Sequence, residues 1–173
     1  MAFQGGLVLS AAAFNALSRA DADDLVRTCL AVPRWVDDVV GARPYADRDA
    51  LLTRADSAAR ELTDDELAAA LSRHPRIGER AGAGHDAAFS TREQSGVAAS
   101  DDDRLAARLR EGNQAYEERF GRVFLVRAAG RSGPQVLAEL ERRLTNDEEA
   151  ERAETVSNLR EIALLRLQAV VGA

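Results

Sequence analysis

Hydrophobic and polar residues follow the three-to-four-residue period of amphipathic helices along most of this 173-residue chain. In the first half, Ser10 can cap a short helix over "AAAFNALSRA", Asp21 can cap "ADDLVRTCLA", and residues 63–66 ("TDDE") have the spacing of a capping box. Pro33 ends the second of these helices and suits the first turn of "PRWVDDVV", which stops at Gly41. "DRDALLTRADSAAREL" is also helical in pattern, so the first half is predicted to be built of helices.

The second half of the chain returns to the same pattern. Ser90 and Glu93 in "STREQ" form another capping box, and "SDDDRLAARLREGNQAYEERF" is a long amphipathic helix that Gly121 stops. "PQVLAELERRL" and "DEEAERAETVSNLREIALLRLQAVV" follow, the second capped by Asn146 and acidic in its first turn. We therefore predict an all-α fold, a single-domain bundle of about eight or nine helices over residues 1–173.

Two stretches do not fit a helix. Between residues 72 and 89, Pro75, Gly78 and two further glycines prevent a regular element, and a loop of this length inside a compact domain is often functional. The apolar run at residues 123–126 is too short to indicate a helix. A strand and a buried extended connector are both open for it.

Composition and charge narrow the class of partner. Lys and Arg number 23 against 29 Asp and Glu, a net charge of −6, and no clustered basic face is present, so nucleic acid is not expected as a partner. Cys29 is the single cysteine, which excludes an internal disulfide and fits a reducing compartment. No apolar stretch approaches the roughly 20 residues that span a bilayer, and "MAFQGGLVLS" lacks the features of a signal peptide. We expect a cytoplasmic protein with no membrane partner.

His74 is the first candidate for chemistry. It is one of two histidines in the chain, and imidazole can donate or accept a proton near neutral pH. The following Pro75 restricts the backbone of His74 to extended conformations and holds the ring on a stiff support. The alternative is a ring that only hydrogen-bonds a nearby carbonyl group. His85, flanked by "AGAG" and "DAAF", resembles an ordinary loop residue.

Glu93 and Arg166 are the next candidates. Helix capping alone explains the spacing of Ser90 and Glu93, but a carboxylate at a helix N-terminus is also fixed in direction, as an orienting group must be, and Gln94 stands beside it. Arg166 falls on the apolar face of the last helix, where its head must reach solvent or bind an anionic partner. Its forked guanidinium suits a planar or carboxylate-bearing ligand.

One face of the long helix carries a polar group beside two aromatic rings. Asn113, Tyr116 and Phe120 are spaced i, i+3 and i+7. They are expected either to line one wall of a cavity or to form a core aromatic pair beside a solvated asparagine.

The sequence offers no other type of catalytic site. Paired cysteines, a His-x-x-x-His pattern and a Gly-rich phosphate loop are all missing, so no metal, nucleotide or haem is expected. No serine or cysteine has the setting of an activated nucleophile. Acid–base chemistry without a cofactor is what remains.

Four motifs in order resemble one known family. "HPRIGE", "FSTREQ", "NQAYEERFG" and "ERRLTNDEEAER…LREIALLRL" are similar to those of the 2-oxo-4-hydroxy-4-carboxy-5-ureidoimidazoline (OHCU) decarboxylases, the last enzymes of the route from urate to allantoin. The resemblance runs from "FNAL" to the last helix. It implies an all-α homodimer that acts on a small-molecule ureidoimidazoline and needs no cofactor.

The resemblance also implies a role for each motif residue. His74 becomes the catalytic proton donor, assisted by Glu93, while Arg166 holds the ureido or ring oxygens, with Arg160 and Arg143 as rivals for that role. "GRVFLVRAAGRSG" departs from the commoner "FGFPFI" of the family, because Arg122 and Val123 stand where the family has an apolar residue and a proline after the glycine. The implied substrate-binding residues are Pro75, Ser90, Gln94, Phe124, Leu125, Val126 and Arg166.

The implied chemistry suits these side chains. Loss of carbon dioxide leaves an electron pair on a ring carbon, and a proton delivered to one face by His74 would give (S)-allantoin. Glu93 would orient the imidazole or polarise the substrate hydroxyl. Two alternatives are a related cofactor-free lyase or hydrolase acting on another ureido compound, and a helical binding or interaction module with the same fold.

Overall fold

Eight helices account for most of the chain that the computed structural model describes, namely residues 8–78 and 103–172. No strand occurs in these two ranges, where Leu9 and Val171 form one isolated parallel bridge. The predicted all-α fold class is therefore confirmed. The helices are α1 (Ala11–Ala16), α2 (Arg19–Cys29), α3 (Pro33–Gly41), α4 (Arg48–Ala59), α5 (Asp64–Leu71), α6 (Asp103–Phe120), α7 (Gly133–Arg143) and α8 (Glu148–Val170).

Several helix starts follow the predicted local signals. The Ser10 side chain accepts a hydrogen bond from the backbone N–H of Ala13 at 3.1 Å. Thr63 and Glu66 form the predicted capping box at the start of α5, each side chain bonded to the other residue's backbone N–H. Pro33 occupies the first turn of α3, where its missing N–H costs no helical hydrogen bond. These bonds satisfy amides that helix starts leave without partners.

Two predicted caps were wrong. α2 begins earlier than expected, because Ser18 and not Asp21 is its N-cap and accepts from the Asp21 N–H at 3.1 Å. The polar first turn of this helix hid its start from a search for apolar periodicity. At α8 the cap is Asp147, whose carboxylate accepts from the Ala150 N–H at 2.8 Å, and Asn146 stands one residue before it.

The described residues divide into two compact units. The first contains α1 to α4 and the part of α8 that begins at Arg160. Trp35 is fully buried in it, and its indole N–H donates to the carbonyl oxygen of Ala55 at 2.9 Å, joining α3 to α4. None of the helices in residues 8–78 and 103–172 combines the length and apolar character needed to cross a bilayer.

The second unit, Thr63–Leu159, contains α5, α6, α7 and the first half of α8. α6 and α7 approach closely at Gly112, where an added Cβ would lie 2.6 Å from Cδ2 of Leu140. The glycine therefore serves close packing, which explains a residue that disfavours helix in the middle of α6. The core cluster of the second unit contains Ile77, Leu105, Leu109, Tyr116, Phe120, Phe124, Val126, Ala128, Val136, Leu137 and Leu140.

The segment between α6 and α7 is the buried extended connector that the sequence left open, not a strand. α6 ends at Phe120, immediately before the predicted stop at Gly121. Residues 123–128 have no regular secondary structure, and no neighbouring strand pairs with them in the described part of the chain. Side chains must therefore satisfy some of the connector's backbone groups.

Candidate active site

His74 lies just beyond α5, on a turn stiffened by Pro75. Its backbone N–H donates to the carbonyl oxygen of Leu71 at 2.9 Å, and its Nδ1 lies 2.9 Å from the carbonyl oxygen of Ala70. A carbonyl oxygen can only accept, so Nδ1 carries the hydrogen in this bond. The buried Nε2 is then the ring nitrogen that gains or loses a proton. The alternative interpretation, a ring bonded to a carbonyl group, accounts for Nδ1 alone.

The turn that bears His74 continues onto α6. The buried amide of Asn113 donates from Nδ2 to the carbonyl oxygen of Ile77 at 3.0 Å. At Gly78, which has a φ of 85°, an added Cβ would lie 3.6 Å from Cδ1 of Leu109, one helical turn before Asn113. The end of the turn is thus packed closely on one face of α6.

An ion pair adds a third attachment one turn further along α6. Arg76 donates from Nε and Nη2 to the two carboxylate oxygens of Glu117 at 2.5 and 2.8 Å. These hydrogen bonds lower the pKa of Glu117. Both side chains are partly exposed, so the pair contributes little to stability and is a weaker attachment than a buried one.

One part of the prediction for Asn113, Tyr116 and Phe120 was right and another was wrong. Tyr116 and Phe120 form a core aromatic pair, with ring centroids 4.8 Å apart. Asn113 is 3% exposed, so the prediction of a solvated asparagine was wrong. No local pattern indicates the partner of Asn113, because Ile77 lies 36 residues away.

The three predicted substrate contacts at residues 124–126 are all buried. Phe124 and Val126 belong to the same hydrophobic cluster as Ile77, so the connector and the turn after His74 are fixed on a common core. The carbonyl oxygen of Leu125 accepts a hydrogen bond from Nη1 of Arg143 at 2.7 Å. The connector is therefore held by an arginine from α7.

Arg143 and Glu151 form a fully buried ion pair. Arg143 donates from Nε to Glu151 at 2.9 Å and from Nη2 to the hydroxyl of Thr155 at 2.9 Å, and the Tyr116 hydroxyl donates to the same carboxylate. Every guanidinium nitrogen of Arg143 thus has a protein partner, Leu125 included. The sequence signal for this network was a charged residue in line with the apolar positions of α7, the same signal that singled out Arg166.

Arg166 and Arg160 lie on α8 within the first unit. Arg166 is 3% exposed, so its head does not reach solvent and the simpler of its two interpretations was wrong. Arg160 donates from Nη1 to Asp56 at 2.7 Å. Of the three candidate anchors, Arg143 and Arg160 therefore hold carboxylates of the protein itself.

The remaining predicted residues, Ser90, Glu93 and Gln94, lie outside the described residues, as does His85. His74 belongs to the second unit and Arg166 to the first, so the convergence of imidazole, carboxylate and guanidinium stays a prediction. In residues 8–78 and 103–172, no three His, Cys, Asp or Glu side chains are grouped as metal ligands would be.

Comparisons with known proteins place these features in context. A profile of the family described as OHCU decarboxylase matches residues 15–168. The chain is 25% identical over 127 residues to the uric acid degradation bifunctional protein TTL of Arabidopsis thaliana. That alignment covers 72% of this chain and 39% of the plant protein, so the chain spans well under half of that relative.

Two solved structures share the fold, and the profile decides the family. The crystal structure of OHCU decarboxylase in the presence of (S)-allantoin has a TM-score of 0.70 and 23% identity, covering 84% of this chain and 95% of that chain. The crystal structure of (S)-allantoin synthase has a TM-score of 0.71 and 15% identity, covering 94% and 54%. These likenesses show the fold alone, whereas the profile also confirms the predicted carboxy-lyase class. Because the profile extends over nearly the whole chain, the chain belongs to the family of OHCU decarboxylases.

Proposed function

We propose that this protein catalyses the cofactor-free decarboxylation of OHCU to (S)-allantoin in urate breakdown, with His74 as the proton donor. The observation that carries the proposal is the fixed Nδ1 hydrogen bond of His74, on a proline-stiffened turn of a chain in this family. The names of the similar proteins, which refer to uric acid degradation and to (S)-allantoin, support the choice of substrate.

The reaction needs one proton at one carbon. The bond between the ring carbon and the carboxylate breaks, carbon dioxide leaves, and the electron pair spreads into the adjacent unsaturated group. The imidazolium of His74 then gives its Nε2 proton to the carbon and becomes neutral, keeping the Nδ1 hydrogen on Ala70. A proton that arrives from one side only yields one enantiomer.

Other predicted residues complete the proposed site. Glu93 orients the imidazole or polarises the substrate hydroxyl, and Arg166 stabilises the developing negative charge without bonding to it. The burial of Arg166 supports this role, because a buried guanidinium binds an anion strongly. The proposed binding residues are Pro75, Ser90, Gln94, Phe124, Leu125 and Val126.

The proposal also covers the domain organisation, the oligomeric state and the cellular compartment. The chain would act as one domain and as a homodimer in the cytoplasm. Cys29 is the single cysteine of the chain and is buried, which supports a reducing compartment.

The test couples urate oxidase and hydroxyisourate hydrolase to this protein and follows the circular dichroism of the product. We expect rapid formation of one enantiomer of allantoin. A racemic product that forms no faster than without the protein would overturn the proposal and leave the binding-module alternative.

The role of His74 is tested in the same assay with His74→Asn. Asparagine keeps a donor near the position of Nδ1 but has nothing in place of Nε2, so we expect turnover to be abolished with the fold intact. The matched control is His85→Asn, the same change at the other histidine, which we expect to keep wild-type activity. Near-normal activity of His74→Asn would exclude His74 as the donor.

A further inference from the structure

We propose that Asn113 of α6 is a positioning residue for His74, acting through the carbonyl group of Ile77. This inference rests on the proposed function of His74. The contact that carries it is the 3.0 Å hydrogen bond from Nδ2 of Asn113 to the Ile77 carbonyl oxygen. It fixes the end of the short turn whose beginning bears the imidazole.

The turn is held at both ends. On its first side, His74 is bonded to α5 through its backbone N–H and through Nδ1. On its second side, the buried Ile77 is bonded to Asn113. Pro75 lies between them with a fixed φ, which leaves fewer backbone rotations to absorb a shift at Ile77 before it reaches the ring.

Stability alone does not explain an asparagine at this position. Asn113 is 3% exposed on an apolar face of α6, beside Leu109 and Tyr116 of the core cluster. Its Oδ1 is also buried, and within residues 8–78 and 103–172 it has no hydrogen-bond partner. A leucine would fill the position without burying a polar group, so the amide is better explained by the bond that it makes to the turn.

The side-chain amide also meets a specific need of the backbone. Ile77 is buried and lies outside the helices, and within residues 8–78 and 103–172 the donor to its carbonyl group is the Asn113 side chain. The neighbouring pair of Arg76 and Glu117 is partly exposed and holds the turn only weakly. Asn113 is therefore the buried polar attachment of this turn to α6.

Two substitutions remove the bond in different ways. Asn113→Asp keeps the shape of the side chain, but its carboxylate has no N–H to donate. Asn113→Leu removes both polar atoms and should fold more readily than Asn113→Asp, which buries a carboxylate. We expect each to lower kcat by about 10- to 100-fold, as displacement of a reacting group by about 1 Å can, with KM changed less than about 2-fold.

Two controls separate positioning from stability. Gln114→Leu removes an exposed amide next along α6, which donates to Glu118, and should keep wild-type kcat. Val136→Ala weakens the same core from α7 and should lower the urea midpoint while keeping kcat. If Val136→Ala lowers kcat as much as Asn113→Leu at a matched loss of stability, the effect is structural and the inference fails.

A second measurement does not depend on turnover. With 15N-labelled histidine in a His85→Asn background, the ring signals of His74 stand alone, because the chain has two histidines. In the parent we expect one tautomer with the hydrogen on Nδ1 when the ring is neutral. In Asn113→Leu the two nitrogen shifts should move towards each other as the second tautomer appears.

The kinetic assay and the ring signals together distinguish failure of the proposed function from failure of the inference about Asn113. If the parent protein does not decarboxylate OHCU, the proposed function fails, and the ring signals still decide whether Asn113 fixes the imidazole. If the parent is active but Asn113→Leu and Asn113→Asp keep its kcat and its ring signals, the inference about Asn113 is overturned.

Discussion

Backbone carbonyl groups held by side-chain donors recur around the candidate site. His74 donates from Nδ1 to the carbonyl group at the end of α5. Asn113 donates to the carbonyl group of Ile77, and Arg143 donates to that of Leu125. In each case the side chain that makes the bond is partly or fully buried, so water competes weakly for the carbonyl group. Single residues therefore determine the geometry of segments that have no regular secondary structure.

Arg143 illustrates how much depends on one such residue. In Arg143→Met the carboxylate of Glu151 stays buried without its cation, and we expect the free energy of unfolding to fall by about 3–5 kcal/mol. In the double variant Arg143→Met/Glu151→Met no buried charge is left, and much of that loss should be recovered. Urea denaturation of the wild type, both single variants and the double variant measures the coupling.

The control for this prediction is the neighbouring residue. Arg142 pairs with Glu139 and Glu154 on the surface, so Arg142→Met should cost about 0–1 kcal/mol. A double variant that loses as much stability as the two single variants combined would show that the buried pair is not coupled.

At the scale of elements, the features that depend on local residues were predicted from the sequence, and those that depend on tertiary packing were not. The capping box at Thr63 and the position of Pro33 were predicted correctly, because they depend on residues within one turn. The connector at residues 123–128 was left between two interpretations, because an apolar run does not reveal whether a strand is available to pair with it. The close contact at Gly112 could not be predicted, since the sequence does not show which helix packs against α6.

The effect of Gly112→Ala on stability should depend on the residue at position 140, because α6 and α7 meet there. Gly112→Ala improves helix propensity by about 1 kcal/mol, but its Cβ would meet Leu140, which is fully buried. In the wild type we expect a net destabilisation of about 1–3 kcal/mol from overpacking. In a Leu140→Ala background the clash is gone, and Gly112→Ala should stabilise. Thermal and urea denaturation of the four proteins test this, and the same sign in both backgrounds would contradict it.

At the scale of the whole molecule, sequence motifs predicted the family and the all-α fold, both of which were confirmed. They also singled out His74 and the buried Arg166. The partners of Asn113 and Glu151 were not predicted, because Asn113 donates to Ile77 and Glu151 accepts from Tyr116, contacts between residues far apart in the chain that leave no local pattern. Whether Glu93 joins His74 stays a prediction.

Acid should destabilise the second unit through its ion pairs. Hydrogen bonds from arginine side chains lower the pKa of Glu117, Glu139 and Glu154 below the ordinary value of 4.5. A carboxyl group with a lower pKa in the folded state stabilises the fold above its unfolded pKa and loses this contribution as the pH falls through the folded pKa. We expect the free energy of unfolding to be steady near neutral pH and to fall below pH 4.5.

Urea denaturation from pH 7 down to pH 3 measures this loss. Glu117→Gln should shrink it, whereas Glu118→Gln, the same change one residue along α6, should not. All three carboxylates are partly exposed, so added salt should also reduce the effect. Identical acid profiles for the two variants would contradict the prediction for Glu117.

The buried pair of Arg143 and Glu151 also constrains how this chain can evolve. A lysine offers one nitrogen and cannot span the three partners that the planar guanidinium joins, so the usual conservative exchange is closed at this position. A substitution at either position alone leaves the other residue as an unpaired buried charge. We therefore expect exchanges at these two positions to occur as a pair, because the double change leaves no buried charge behind.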